Sequence, residues 1–310
     1  MSDPCPGAVV ITGPTASGKG ALSFELARRL SGEIVSLDSM KVYREIDIAT
    51  AKPSQERRSI VPYHLLDLID PHEQFSTGEY LPLLERTISQ VRARGRTPIL
   101  SGGTALYLKG FLDGFQPGPE ADWGLRNRLL EEAAQAGPQA LHERLLARDP
   151  VAAQKIHPHD ARRIVRALEV LETTGRPISQ DWGWKKQALA PEGVRVFGLE
   201  WRREELHARI NLRVERMVEA GLFDEALRLS QREPPLSRTA AQSIGVKEAW
   251  EKPDPARPAR QIVERIQQRT RQLAKSQLTW FRKMPIEWLP VSGAVRAEDL
   301  AEEVIRRLQR

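Results

Sequence analysis

The sequence predicts an α/β fold, in which a parallel sheet forms the core and an all-helical lobe is inserted into it. Three observations predict this arrangement. Short β-branched runs alternate with amphipathic helical patterns in the first third of the chain, which is the pattern of βαβ units. The middle of the chain carries helix signals without a convincing strand, and another apolar run follows it.

The N-terminal elements alternate in the order that a parallel sheet requires. Residues 8–12 predict a buried strand, and residues 19–31 predict a helix with Gly32 as its C-cap glycine. Residues 33–37 and 97–101 predict the next strands, because each is an apolar run followed by a polar or glycine-rich turn.

Helix punctuation separates the middle of the chain from the core. Caps and breakers predict successive helices there, at Asp122, Gly137, Pro138, Pro150, Asp160 and Gly175. After this lobe we expect a strand at 194–200, helices at 203–220 and 258–280, a last strand at 286–289 and a closing helix at 298–310. The predicted division is a core of residues 1–115 and 194–310 with a helical lobe of residues 116–193.

The composition is ordinary for a soluble globular protein, and the charge balance is basic. Of 310 residues, 40% are hydrophobic, and 47 Lys and Arg outnumber 41 Asp and Glu, which favours polyanionic partners. No apolar run is long enough for a membrane span, and no signal peptide is evident. Cys5 alone makes neither a disulfide nor a zinc site. We expect a cytoplasmic monomer with no membrane partner and no obligate protein partner.

The stretch GPTASGK lies between a predicted strand and a predicted helix, which is the context of a phosphate-binding P-loop. Glycines allow backbone amides to turn inward as an anion nest, the helix N-terminus adds its positive end, and Lys19 reaches the outer phosphates. The predicted diphosphate- or nucleotide-binding residues are Gly13, Pro14, Thr15, Ala16, Ser17, Gly18, Lys19 and Gly20.

Gly20 departs from the P-loop pattern, because the residue after the lysine is ordinarily a Ser or Thr whose hydroxyl ligates Mg²⁺. Three explanations are open from the sequence. Thr15, Ser17 or water, including water held by Asp38, can replace that ligand. Alternatively, the affinity for the metal is weak, or the chain has lost turnover.

Asp38 directly follows the predicted strand at 33–37 and therefore lies at the carboxyl edge of the sheet, where doubly wound folds bind ligands. A carboxylate there can ligate Mg²⁺ or accept a proton, and it can also cap a turn.

Five stretches in the same order resemble the tRNA dimethylallyltransferases, the bacterial tRNA prenyltransferases. They are GPTASGK, SLDSMKVYREIDIATAKP, SGGTALYLKG, HPHDARRIVRALEV and TRQLAKSQLTWFR, and they extend across most of the chain. The resemblance implies a P-loop NTPase-like core. It also implies that a dimethylallyl group moves from dimethylallyl diphosphate to the N6 amine of the tRNA adenosine on the 3′ side of the anticodon, with Mg²⁺ as cofactor.

The resemblance further implies roles for individual residues. Asp38 would accept the amine proton, while Thr104 and Arg213 would join Lys19 and the loop amides in binding the diphosphate. Contacts with the tRNA anticodon stem-loop are implied for Asp38, Ser39, Met40, Lys41, Thr104, Arg126, Arg162, Arg163, Arg166, Gln242, Gly245, Lys247, Arg271, Lys275, Gln277, Trp280 and Arg282. We expect the adenine to flip into a channel through the core, which dimethylallyl diphosphate enters from the opposite end.

Other functions fit parts of this pattern. A P-loop kinase would use the same phosphate site, with Asp38 activating a substrate hydroxyl. A prenyltransferase acting on free adenine nucleotides would need no arginine-rich lobe. A tRNA-binding protein without catalysis would be consistent with Gly20.

Overall fold

A computed structural model describes residues 7–116, 118–181, 183–184, 192–250, 259–293 and 295–310. The chain divides into two compact units. The core unit comprises residues 1–109 and 190–310, and the helical unit comprises residues 110–189. The predicted lobe boundaries lie a few residues from these divisions.

The strands in the described part of the chain belong to two sheets. They are β1 (Ala8–Thr12), β2 (Gly32–Ser36), β3 (Tyr63–His64), β4 (Thr97–Ser101), β5 (Phe115–Gln116), β6 (Gly183–Trp184), β7 (Val194–Trp201) and β8 (Glu287–Val291). In the core unit, six of the described strands form a parallel sheet in the order β3-β2-β4-β1-β7-β8. In the helical unit, β5 and β6 form a short antiparallel pair that the sequence analysis did not predict.

Helices connect and cover these strands. They are α1 (Lys19–Arg29), α2 (Gln55–Ile60), α3 (Thr77–Ala93), α4 (Ala105–Asp113), α5 (Trp123–Ala136), α6 (Pro138–Arg148), α7 (Pro150–Lys155), α8 (Ala161–Thr174), α9 (Ile178–Asp181), α10 (Arg203–Glu219), α11 (Leu222–Ser230), α12 (Val246–Trp250), α13 (Ala259–Phe281) and α14 (Ala297–Leu308). Among the described residues, no helix has both the length and the apolar character that a membrane crossing requires.

The main core of the core unit lies between the sheet and helices α1 and α14. Val9 and Ile11 of β1 pack with Leu22 and Leu26 of α1 and with Val304 of α14, and all five are fully buried. Strand β1 is buried on both faces and is therefore a continuous apolar run, as expected for an inner parallel strand. This packing holds the end of β1, and therefore the start of the P-loop, at a fixed position.

The predicted role of Gly32 is wrong. Helix α1 ends at Arg29, and Gly32 is the first residue of β2, so it does not cap the helix. The left-handed position between the two elements is Ser31, at φ 48°. A side chain at Gly32 would come within 2.7 Å of the Thr97 carbonyl oxygen. Glycine is therefore needed for the close approach of β2 and β4.

The helical unit follows its predicted caps. The Asp122 carboxylate accepts from the Leu125 amide at 2.9 Å, and the Asp160 carboxylate accepts from the Arg163 amide at 3.2 Å. Gly175 ends α8 in a left-handed conformation, at φ 71°. Helices α5, α6 and α8 pack together around a leucine-rich core. The predicted cap residues in this unit are confirmed.

Candidate active site

The P-loop connects the buried strand β1 to helix α1 at the carboxyl edge of the sheet. Gly13 and Gly18 have positive φ angles of 141° and 96°, and Ala16 has a φ of 63°. The Ser17 amide donates to the Pro14 carbonyl at 3.2 Å, and the Lys19 ammonium donates to the same oxygen at 3.3 Å. The turn is thus closed on itself, as an anion-binding nest requires.

Gln277 joins helix α13 to this loop. Its side-chain oxygen accepts from the Thr15 amide at 2.8 Å, and its side-chain nitrogen donates to the Gly103 carbonyl at 2.8 Å. A side chain at Gly103 would come within 2.5 Å of that nitrogen. One glutamine therefore links the P-loop, the turn after β4 and the long C-terminal helix.

Asp38 and Thr104 meet where β2 and β4 end. The Asp38 carboxylate accepts from the Met40 amide at 3.0 Å. The Thr104 hydroxyl accepts from the Ser39 amide at 3.0 Å and lies 3.3 Å from the Ser39 hydroxyl. The Thr104 side chain thus reaches across to the neighbouring turn, which aligns the threonine with Asp38.

Three cations surround Asp38. Burial, together with the charge of Arg213, lowers the pKa of Lys19 to about 7, and the charge of Asp38 acts in the opposite direction. Burial also lowers the pKa of Lys41 and of Arg213, and Asp38 again acts in the opposite direction. In the described part of the chain, the side chains of Lys41 and Arg213 make no hydrogen bond or ion pair. The site thus concentrates desolvated positive charge for which one carboxylate does not compensate.

A cleft of about 670 Å³ opens beside the P-loop within the core unit. Ala16 and Gly18 line one side, and the other walls combine apolar residues with the arginines of α10, namely Arg209, Arg213 and Arg216. Its lining of positive charge beside apolar groups suits an amphipathic anion.

One wall of the cleft is fixed by an internal anion. The buried carboxylate of Glu225 accepts three backbone hydrogen bonds, from the amides of Asp47, Ile48 and Ala49 at 2.8 to 2.9 Å. Asp47 and Ile48 line the cleft. Glu225 therefore holds the segment that forms this wall.

The protein donors near the P-loop fit Mg²⁺ only where a phosphate ligand completes its coordination. In the described residues, no three His, Cys, Asp or Glu side chains are grouped to hold a cation. The Ser17 hydroxyl is buried without a partner, and a side chain at Gly20 would meet no atom within 4 Å. Mg²⁺ commonly keeps several waters and binds through one or two carboxylates and substrate phosphates. Asp38 and a bound diphosphate fit that donor set.

Comparisons with known proteins show the family of this chain. The family model described as IPP transferase matches residues 41–284. The tRNA dimethylallyltransferase of Geobacillus kaustophilus is 42% identical over 299 residues, which cover 96% of this chain and 94% of the relative. That of Geobacter metallireducens is 43% identical over 286 residues, which cover 92% of this chain and 93% of the relative.

The chain belongs to the IPP transferase family.

Solved structures of IPP transferases share the fold. The full-length tRNA isopentenylpyrophosphate transferase from Bacillus halodurans matches with a TM-score of 0.69 and 37% identity, covering 97% of this chain and 96% of that one. A eukaryotic dimethylallyltransferase acting on tRNA matches with a TM-score of 0.73 and 28% identity, covering 95% of this chain and 75% of that one. The predicted fold class, a P-loop-like parallel sheet with a helical insertion, is confirmed.

The predicted tRNA-contact residues of this IPP transferase differ in how free their side chains are. In the helical unit, Arg162 and Arg163 are exposed, whereas Arg126 and Arg166 contact the buried carboxylate of Glu169 at 2.8 and 2.7 Å. Arg162 and Arg163 are therefore at the surface, where Arg163 pairs with Asp160 at 3.4 Å, and the other two arginines are held inside their own unit.

Helix α13 shows the same division within the core unit. Lys275 and Arg282 are exposed, whereas Arg271 donates to the Asn211 side-chain oxygen at 2.6 Å. Trp280 is half-buried, and Gln277 contacts the P-loop.

The loop that precedes α12 carries the remaining predicted contacts. Gln242 is exposed and accepts from the Lys247 ammonium at 3.4 Å. Gly245 is buried at φ 100°, where a side chain would come within 3.2 Å of Leu222. Gly245 therefore has a packing role.

Two features of the site have no signal in the sequence. Tyr80 and Tyr107 stack with their ring centroids 3.7 Å apart, and the Tyr80 hydroxyl donates to the Ser36 carbonyl at 2.5 Å. Burial, with a contribution from Asp38, raises the pKa of both phenols, so they stay neutral. Tyr80 lies in the apolar stripe of α3, where nothing distinguishes it from a core residue.

The second feature is a pair of side chains behind the P-loop. Trp201 at the end of β7 and Arg209 on α10 each donate a hydrogen bond to a P-loop carbonyl. They lie about 190 residues from the loop in sequence. No local motif could have indicated the contact.

Proposed function

We propose that this IPP transferase transfers the dimethylallyl group of dimethylallyl diphosphate to the N6 amine of the tRNA adenosine on the 3′ side of the anticodon. The observation that carries the proposal is the placement of Asp38 beside three desolvated cations, Lys19, Lys41 and Arg213. A buried cluster of positive charge is unfavourable without an anion, and a prenyl diphosphate supplies one.

In the proposed step, the N6 nitrogen forms a bond to the first carbon of the dimethylallyl group while the bond from that carbon to the diphosphate oxygen breaks. The leaving diphosphate keeps the electron pair of that bond. The proton of N6 passes to the Asp38 carboxylate. An exocyclic amine is a weak nucleophile because its lone pair is delocalised into the ring, so orientation by Asp38 matters as much as proton transfer.

The diphosphate gains charge as the bond breaks, and its donors therefore act mainly in the transition state. We assign this role to the P-loop amides, Lys19, Arg213 and the Thr104 hydroxyl. Bound Mg²⁺ would neutralise part of the same charge. Because the unliganded pKa of Lys19 is about 7, a bound diphosphate would stabilise the protonated lysine.

The cleft beside the P-loop provides a route for the prenyl diphosphate. Its arginines attract the diphosphate, and apolar residues such as Ile48, Leu212 and Met217 suit the prenyl chain. The Tyr80 and Tyr107 rings lie near Asp38 and would help to exclude water from the allylic carbon.

The tRNA would bind through exposed cations of both units, which are Arg162, Arg163, Lys275 and Arg282. Such phosphate contacts offset the unstacking of the target base, which costs a few kcal/mol. The proposal requires one copy of the chain and places the reaction in the cytoplasm, where unmodified tRNA is found.

A mass measurement on tRNA tests the proposal. Unmodified tRNA with adenosine after the anticodon is incubated with dimethylallyl diphosphate and Mg²⁺, and the expected result is a gain of one dimethylallyl unit on that base. Asp38→Ala should abolish the gain while tRNA binding remains. Asp299→Ala, which changes an exposed aspartate on α14, is the matched control and should keep full activity.

Two results would contradict the proposal. Absence of any mass gain with intact tRNA binding would favour a tRNA-binding protein without catalysis. ATP turnover without prenyl transfer would favour a P-loop kinase.

A further inference from the structure

Two side chains from outside the P-loop hold adjacent carbonyl groups of the loop. The indole nitrogen of Trp201 donates to the Ser17 carbonyl at 2.9 Å, and Nε of Arg209 donates to the Ala16 carbonyl at 3.0 Å. The Arg209 guanidinium also lies over the Trp201 ring, 4.2 Å from its centroid. The two donors therefore stack on each other while they bind adjacent carbonyls.

The carbonyls that they hold belong to the strained part of the loop. Ala16 has a φ of 63°, a left-handed conformation that a residue with a Cβ adopts at an energetic cost. In an anion nest, successive amides face the ligand, so the intervening carbonyls must point elsewhere. Donors that bind the Ala16 and Ser17 carbonyls stabilise this orientation before any ligand arrives.

The rest of the loop does not supply this restraint. Gly18 is also left-handed, and its carbonyl is held by the first turn of α1. The Pro14 carbonyl accepts from the Ser17 amide and from Lys19. In the described structure, the hydrogen bonds to the Ala16 and Ser17 carbonyls come from Arg209 and Trp201.

We propose that Trp201 and Arg209 are positioning residues that hold the P-loop in its diphosphate-binding conformation. The inference rests on the proposed function, because it assigns the loop to the prenyl diphosphate. Arg209 also lines the cleft, and its Nη2 lies 3.6 Å from the place that a side chain at Gly18 would occupy. Trp201 is the cleaner probe, since it does not line the cleft, and a phenylalanine at this position keeps an aromatic ring against the neighbouring core residues.

The test is calorimetric titration of inorganic diphosphate into the full chain without tRNA. Trp201→Phe removes the indole N–H and keeps an aromatic ring under Arg209, and Arg209→Lys keeps the charge. We expect each to weaken diphosphate binding about three- to tenfold, the effect of one lost hydrogen bond. In turnover assays, KM for dimethylallyl diphosphate should rise while KM for tRNA stays unchanged.

The chain offers matched controls for both variants. Trp250 is a half-buried tryptophan whose indole N–H donates to the Ala226 carbonyl at 2.8 Å, far from the loop in sequence. Arg195 lies over Phe197 at 5.6 Å and pairs with Glu287. Trp250→Phe and Arg195→Lys should leave diphosphate affinity within twofold of the wild type, whatever they do to the melting temperature.

The outcomes separate the two hypotheses. A wild type that binds no diphosphate would overturn the proposed function and, with it, this inference. A wild type that binds diphosphate, with Trp201→Phe binding equally well, would overturn the positioning role alone. Equal losses of affinity in Trp201→Phe and Trp250→Phe would also overturn it, because they would show a general loss of stability.

Discussion

Two clusters of positive charge, one in each unit, differ in whether a carboxylate neutralises them. In the helical unit, Arg126 and Arg166 share the fully buried carboxylate of Glu169, which also accepts from the Asp122 amide at 2.8 Å. In the core unit, Lys19, Lys41 and Arg213 are desolvated around Asp38 without such compensation. In a paired cluster the positive charge is neutralised in the free protein, whereas an unpaired cluster needs an anionic ligand to neutralise its charge.

The difference separates cations that have a counter-charge inside the protein from cations that lack one, and we expect the second group to bind the diphosphate. Residue type alone does not distinguish the two kinds of cation. The sequence therefore predicted tRNA contacts for Arg126 and Arg166 as well as for the exposed Arg162 and Arg163. Substitutions in the two clusters should therefore have opposite signatures.

The largest expected effect is that of Arg213→Gln. It removes a donor to the leaving diphosphate, and we expect kcat/KM for dimethylallyl diphosphate to fall about 100- to 1000-fold. The melting temperature should stay the same or rise, because the substitution removes a desolvated charge that repels Lys19. Steady-state kinetics and thermal unfolding measure the two effects.

Arg203→Gln, on the same helix but exposed and outside the cleft, is the control and should change kcat/KM much less. A large drop in melting temperature for Arg213→Gln, with activity lost in proportion, would place Arg213 with the structural arginines of the helical unit.

Glu169→Gln should give the reverse signature. It leaves two arginines without their counter-charge, and we expect the free energy of unfolding to fall by about 3 kcal/mol. Diphosphate affinity should be unchanged. Urea unfolding followed by circular dichroism, together with diphosphate calorimetry, measures both quantities.

Glu132→Gln is the matched control, since Glu132 is exposed and pairs with Arg144 at 3.2 Å. It should cost less than about 1 kcal/mol. If Glu169→Gln were as mild as this control, the proposed contrast between the units would be wrong.

The pH dependence of diphosphate binding tests whether the cluster around Asp38 lacks a counter-charge in the free protein. The pKa of Lys19 is about 7 in the free protein, and a bound anion raises it. Affinity should therefore be highest below pH 7 and should fall as the pH rises above 7, by up to about tenfold per pH unit. Calorimetry in buffers of different ionisation enthalpy should detect proton uptake near pH 8. The Lys19→Arg variant should lose this uptake, and its retention would assign the titration to another group.

The smallest expected effect concerns Gly20, which lies exposed in the first turn of α1. Gly20→Ala should raise the free energy of unfolding by about 0.5 to 1 kcal/mol, because a Cβ there meets no neighbour and alanine favours the helix. Chemical denaturation measures the gain. A loss of stability would mean that the loop requires glycine at this position.

Gly20→Ser adds the hydroxyl that P-loops ordinarily carry, and Gly20→Ala is its matched control. We expect the serine variant to bind Mg²⁺ more tightly in the presence of diphosphate, as measured by titration calorimetry. Equal metal affinities in the two variants would show that a hydroxyl at this position does not reach the metal.

Much of the fold was predictable because local signals and the sheet pattern agreed. Each of these signals determines the structure of the few residues around it. Examples are the apolar run of β1, the glycine turn that follows it and the caps of the helical unit. Gly32 was assigned wrongly because a glycine after a helix has two explanations. The close approach of β4 distinguishes them, and it exists only in three dimensions.

The site was predictable to the extent that it lies in continuous motifs. Lys19 begins α1 directly after the P-loop, and Asp38 follows β2, so the pattern of strands and turns predicted their positions at the sheet edge. The roles of Trp201 and Arg209 were not predicted because their partners are backbone carbonyls. Every residue has a carbonyl group, so no residue type indicates such a contact. The pairing of Arg126 and Arg166 was missed because Glu169 is an ordinary helical glutamate until the helices pack.

Glu225 has a consequence for how fast and how tightly the cleft can take up its ligand. Fixing the backbone of a residue costs about 1 to 2 kcal/mol of conformational entropy. For Asp47, Ile48 and Ala49 this entropy is lost when the protein folds, because their amides already donate hydrogen bonds to the Glu225 carboxylate in the free protein. An incoming anion therefore meets a wall whose shape does not depend on it. Association should resemble the docking of a rigid receptor, with little heat-capacity change from ordering of this segment.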